Sequence, residues 1–526
     1  MSLSGCSQPT ENANTNGTVY KEDIIAVRVS QETSLRFDST EITRFFNNYP
    51  YVKTYEQNIR NFYSKRNYTY AWFERSGLIE QAVILSNRLS NLESDGIYKR
   101  LIYKQNLDSL LDEQNIKSNT KKPNITLELL LTAEYFMYSR VAWNGMDASI
   151  SKSVNWFIPR KSISYDQYLD SILKTPTNRP LPDEPVYRQY ELLRSYLKKY
   201  RALESNDPWK PLSVTNGEPK FGDTSSFILQ VKKRLFKLED YVGDTLNNSF
   251  DLNLVAALKR FQERNGLQAE GVLDNHTLIE LNVSLKSRIK QILVNMERSR
   301  WLPLSVSGDH VAVNVPEFKL HVYHSDSLLW SCNAVVGETV HPTIQFYGEI
   351  KYIVFSPYWN IPPSIIRNEI IPAMKKHPGY LTTHRMEITG YRNGLPIIRQ
   401  KPGRANSLGL VKFTFPNSYN IYLHDTPSKS LFNETSRAFS HGCIRISEPE
   451  KLAGFLLKNM DQWNAQKIKD AMRPGKEKYV TLKNPVPVFI GYFTAFIDRR
   501  NRMNFRKDIY NLDDRLAAMI LSGEGY

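Results

Sequence analysis

The sequence predicts a multidomain α+β protein: an N-terminal helical scaffold, a three-helix module, and a C-terminal mostly-β domain carrying a capping insertion. Three observations predict it. At 526 residues the chain exceeds what one ordinary core organises. Apolar residues recur at 3-4 spacing in the first part and at period two after about residue 306. A Pro-, Gly-, Asn- and Ser-rich stretch at 206–222 separates the scaffold from the small module. The hydrophobic fraction of 41%, with 12% aromatic residues, excludes a disordered chain.

Residues 1–38 form a polar segment expected to be flexible, and 39–215 the helical scaffold. There Tyr190, Leu193, Leu197 and Tyr200 mark one helix behind Pro182 and Pro185, and 127–141 is a second apolar stretch. Residues 220–283 form the small module, with helices expected at 227–238, 254–262 and 275–281. Asn265-Gly266 ends the middle helix because glycine accepts the left-handed cap. A connecting helix covers 285–300, within 284–305. Strands are expected at 311–315, 318–323, 353–355 and 486–496 of a β-rich domain spanning 306–498. Residues 499–526 are read as a C-terminal tail. Between Ile361 and Gly409 the chain is polar and broken by Pro and Gly, so 364–408 is expected to be a mobile, irregular cap.

The net charge of +15 suits anionic partners, but the basic residues are dispersed among acidic ones, so no nucleic-acid partner is expected. Three cysteines, Cys6, Cys332 and Cys443, are too few and too far apart for a disulfide framework or a cysteine-rich metal site. Cys332 lies in an alternating run and is expected to be a buried strand residue. No run of about 18 apolar residues is present. Leu3-Ser4-Gly5-Cys6 resembles the end of a bacterial lipoprotein signal without the region that should precede it; it is either the start of a lipid-anchored envelope protein or a chance match.

The chemistry concentrates in Ala438-Phe439-Ser440-His441-Gly442-Cys443-Ile444-Arg445, with Tyr422-Leu423-His424-Asp425 upstream. A thiol becomes a strong nucleophile as its thiolate, and a nearby imidazole takes or balances the proton. Gly442 allows the close backbone approach that main-chain N–H groups need to hold an oxyanion.

Ser440 lies 16 positions after His424 (440 − 424), and this His, gap and Ser-His-Gly-Cys resembles the signature of the L,D-transpeptidase family (YkuD-type). Val336-Gly337 before Pro342-Thr343, and 356–365, resemble further segments of that family's catalytic domain. Leu258 to Leu267 with Gly271 and Asp274 resembles the three-helix peptidoglycan-binding domain of wall enzymes. The domain order is similar to the large Gram-negative branch. The resemblance implies a cysteine acyltransferase that forms 3→3 peptidoglycan cross-links through a Cys443 thioester with a tetrapeptide donor, releasing D-Ala, without metal or cofactor. It also implies periplasmic or envelope location, a role in wall organisation and cell shape, carbapenem acylation, and peptidoglycan stem peptides, glycan strands and other wall synthases as partners. An L,D-carboxypeptidase, a lipoprotein-attaching transpeptidase and a non-catalytic wall-binding protein are the alternatives.

The same resemblance makes Cys443 the nucleophile and His424 the general base, with Gly442 an oxyanion donor through its backbone. His441 supports the loop or the oxyanion site, or competes as base. Tyr422, two residues before His424 on the same strand face, is either an oxyanion donor or a packed aromatic. Arg445 either contacts substrate carboxylate or pairs with Glu448. Tyr358 and Trp359 either line the donor groove or belong to the core, and Asp425, counted with them among the substrate-binding residues, acts through its side chain or only its backbone.

Overall fold

In the computed structural model, residues 35–523 are described apart from 117–121, 177, 214–216 and 474. The lipoprotein-like Cys6 segment lies outside the described residues.

The scaffold is built around the helix Ile125–Ser139. Asn124 caps it by accepting from Leu127 N, and every residue from Leu127 to Ser139 is buried, as a helix apolar all round requires. Its one early acid, Glu128, is fully enclosed and accepts from Tyr63 Oη at 2.6 Å and Trp72 N at 3.0 Å. The expected connecting helix, Leu285–Arg300, is more than a connector. Its residues from Ile292 to Arg300 are buried; Glu297 Oε1 accepts from Met146 N at 2.6 Å, and Arg300 donates to Asp95 O at 2.6 Å. It is the post on which scaffold and β domain are mounted.

Between these, Ser226–Lys237, Leu252–Arg264 and Asn275–Leu281 form the module around Ile228, Leu254, Leu258 and Phe261. Ser225, Asp251 and Asp274 cap the three N-termini, and Gly266 takes φ +73. Arg264 donates to Met503 O at 3.2 Å and Arg506 to Arg264 O at 2.7 Å, docking the module on the C-terminal segment.

The β domain is one ten-stranded sheet. Nine strands run in the order Val411–Thr414, Leu423–His424, Ile444–Ile446, Ser327–Gly337, Lys319–His324, Asp309–Asn314, Lys478–Gly491, Gln345–Phe355 and Trp156–Phe157, and the tenth, Ala438–Ser440, pairs with Ser327–Gly337 off this path. Val411–Thr414 also pairs with Gln345–Phe355, so the sheet closes on itself. Cys332 is buried opposite Leu320, as a strand residue.

Three expectations change. The scaffold is not wholly helical: Trp156–Phe157 pairs in parallel with Gln345 and Phe346 and so belongs to the ten-stranded sheet, with the Trp156 ring 5.5 Å from Trp301. The insertion is not irregular. It contains helical turns at Pro363–Ile365 and Ile371–Lys376, and strands Met386–Arg392 and Leu395–Gln400 that join Trp359–Asn360. Its own core is Ile361, Ile365, Ile366, Ile370 and Ile398. The tail is folded: Met503–Phe505 pairs with Ala495–Ile497, and Asp513–Ser522 packs on the post helix. Among the described residues no helix is long and apolar enough to cross a membrane.

Candidate active site

Strand register assembles the site. Leu423 pairs with Phe413 and Ile444, and all three point into the core. Their neighbours therefore share the opposite face. Lys412, His424 and Arg445 pair across three adjacent strands. One pleat step back along that face, Tyr422 comes level with Cys443; Ile444 N–H donates to Tyr422 O at 3.1 Å. Five chemically active side chains thus share one sheet face while their alternates form the core.

The cysteine loop is braced from several sides. Ser440 Oγ donates to Cys443 O and accepts from Gly442 N at 3.2 Å. Thr343 Oγ1 donates to Gly442 O and accepts from Gly337 N, both at 2.9 Å, while Tyr510 Oη donates to Gly337 O at 2.6 Å. Gly442 adopts φ +104, a conformation closed to other residues. At Gly337 a Cβ would lie 2.1 Å from His341 O. The Gly442 amide, expected to serve an oxyanion, meets Ser440 Oγ in this arrangement.

Cys443 is half-buried. Its thiol donates to Asn420 O at 3.6 Å and accepts a hydrogen bond from the Tyr422 hydroxyl, which in turn accepts from Trp359. Burial pushes the thiol above its ordinary range, against the opposing pull of Tyr422, Lys412 and Arg445. Burial, first, then Cys443 push the Tyr422 hydroxyl far up, so it remains a donor. His424 is driven down to about 3 by burial, then by Arg445 and Lys412. Sulfur and imidazole are therefore both neutral at rest, unlike the ionised sulfur that thiolate chemistry leads one to expect.

Nor are they hydrogen-bonded to each other. The His424 ring lies by the Asp425 and Leu408 carbonyls, with Nδ1 donating to Asp425 O at 2.5 Å, while the sulfur turns to Asn420 and Tyr422. This fixes the tautomer, with Nε2 as acceptor. It also separates the two parts of Asp425: its backbone orients His424, while its buried carboxylate accepts from Leu410 N at 2.8 Å and from Lys429. Asp425 does not line the groove.

Arg445 makes no ion pair with Glu448 among the described residues; its Nε is buried without a hydrogen-bond partner. Lys412, which sequence reasoning missed, stands 3.8 Å over the Tyr422 ring and is lowered by burial. A lysine among the apolar residues of 410–415 was its only signal. His441 is exposed, its Nε2 3.0 Å from Glu369 of the insertion. Trp359 lies at the site edge beside Tyr422, whereas Tyr358 lies at the root of the insertion under Arg399, 4.2 Å from its ring.

Residues 308–488 match the L,D-transpeptidase catalytic domain (YkuD), 57–197 a scaffold domain, and 224–281 a domain described as "putative peptidoglycan binding". A Haemophilus influenzae protein described as "Putative L,D-transpeptidase" is 33% identical over 250 residues, covering 44% of this chain and 50% of that protein, so the match spans half the relative's length. Solved structures of L,D-transpeptidases from Xylanimonas cellulosilytica and Stackebrandtia nassauensis share 15% identity each. They cover 53% and 54% of this chain and 100% and 97% of theirs, at TM-scores of 0.17 and 0.22. Residues 308–488 thus form an L,D-transpeptidase (YkuD) catalytic domain.

Proposed function

We propose that this protein is a cell-envelope L,D-transpeptidase that joins peptidoglycan stem peptides by 3→3 cross-links. The observation that carries the reading is the shared sheet face: nucleophile, imidazole, phenol and two cations in one register. In the first half-reaction Cys443 Sγ attacks the carbonyl between the third residue and the terminal D-Ala of a donor tetrapeptide. The thiol proton passes to His424 Nε2. A neutral thiol and neutral imidazole allow this transfer to accompany attack, with contacts that tighten when substrate fills the groove. The Tyr422 hydroxyl, held by Trp359, turns from the sulfur to the developing oxyanion, together with the Cys443 amide.

His424 then returns the proton to the departing D-Ala amine, leaving a thioester. The side-chain amine of an acceptor stem attacks, its proton goes to His424, and the thiol leaves reprotonated. Arg445 and Lys412 suit the carboxylates of the two stems, since half-buried cations with unfilled donors favour anionic ligands. The insertion 364–408 serves as a cover that excludes water and so favours the amine over hydrolysis. The three-helix module supports peptidoglycan as the substrate polymer.

The test is incubation of the purified chain with a defined disaccharide-tetrapeptide, read by product mass. A dimer lacking one D-Ala supports cross-linking. Tripeptide alone shows an L,D-carboxypeptidase, and unchanged substrate with no Cys443 adduct rejects the reading.

A further inference from the structure

Glu338, His341 and His441 each offer a ligand atom, and these atoms lie within 4.8 Å of one another. The turn carrying the first two is fastened to the cysteine loop: Glu338 N–H donates to Ser440 O at 2.9 Å, and His341 N–H to Glu338 O at 3.0 Å. The His341 and His441 rings face each other with centroids 5.1 Å apart. His441 Nε2 meets Glu369 at 3.0 Å, so an ion taken by Nδ1 would leave the other ring nitrogen on a carboxylate. A histidine that presents one nitrogen to an ion while a carboxylate holds the other is the usual support of a metal ligand.

We infer that these residues form a binding site for a zinc-class divalent cation, with Glu338, His341 and His441 as ligands and Glu369 as the outer partner of His441. Two imidazoles and one carboxylate suit zinc or its neighbours, whereas calcium and magnesium prefer all-oxygen sets. The fourth position is open to water. Small side-chain shifts close the cluster, because tetrahedral ligands about 2.0–2.2 Å from zinc stand closer together than the present spacing. A bound ion ties three pieces of chain at once: the 338–341 turn, the loop ending in Cys443 and, through Glu369, the insertion.

The test uses the full chain as Cys443→Ala, so that no thiolate contributes. It is titrated with cobalt(II) and followed by visible absorption, then back-titrated with zinc. One equivalent bound with tetrahedral intensity and displaced by zinc is expected. On that background His341→Ala and Glu338→Gln, both changes at accessible side chains, each weaken binding at least about tenfold, and Glu369→Gln by a smaller factor. Unchanged melting in chelator shows that the variants are folded. Absence of saturable binding, or equal affinity in the His341→Ala and Glu338→Gln proteins, overturns the site. Since acyl transfer is not measured, this outcome is separate from that of the enzymatic reading.

Discussion

Glu128 in the scaffold and the sheet face around Cys443 are both places where burial displaces a titration, and they differ in how their partners are used. Glu128 is pushed up to about 7 by burial, against hydrogen bonds from Tyr63, Ala71 and Trp72. Thr132, beside it, takes the Trp72 indole N–H at 2.9 Å and donates to Glu128 O at 2.9 Å. Every neighbour there is occupied. Around Cys443, by contrast, Arg445 Nε has no partner, the thiol donates only a long bond, to Asn420, while accepting from Tyr422, and the imidazole keeps Nε2 as acceptor. The closed set holds helices together. The open set has capacity for something that arrives, so substitution should separate stability from chemistry.

The sharpest separation is expected at His424. His424→Ala should lower cross-linking by about 10³-fold, measured as dimer formed per unit time; a loss under tenfold would move the general base elsewhere. Glu128→Ala should leave the chemistry intact but cost about 3 kcal/mol in urea unfolding, because backbone and phenol donors lose their acceptor. In the unaltered protein the raised Glu128 carboxyl contributes stability below its ordinary value of 4.5 that is lost as pH rises through about 7. The variant should lack that slope.

Tyr422→Phe removes one donor and should reduce turnover about 10²-fold with little change in melting. Equal rates would return Tyr422 to the role of a packed aromatic. The smallest effect is expected at Lys412: Lys412→Met should slow iodoacetamide alkylation of Cys443 a few-fold near neutral pH by pushing the thiol higher still. In the unaltered protein alkylation should keep accelerating beyond the pH at which an ordinary cysteine levels off.

The residues gathered around Cys443 were legible where their information is local. A His and, starting 16 positions later, Ser-His-Gly-Cys fix residue types and strand phase together, and period-two reading put Tyr422 on the face of His424. The module helices and the post helix were legible through caps and 3-4 spacing. What escaped depends on pairing across long sequence separations. Lys412 is ordinary until its strand pairs with His424, and Trp156–Phe157 is too short to show a period. The insertion hid its core because Ile361, Ile365, Ile366 and Ile370 lie at helical spacing among Pro and charged residues, while Ile398 joins them from a strand. The contact of the Gly442 amide with Ser440 also escaped, because no spacing encodes the direction of a serine hydroxyl.

The two-residue strand Trp156–Phe157 makes the boundary of inheritance differ from the boundary of folding. A gene fragment coding for 308–488 alone would leave the Gln345–Phe346 backbone bare on that side. In this chain the N-terminal region is therefore no independent bead on a string: it donates the strand that covers this stretch of the sheet.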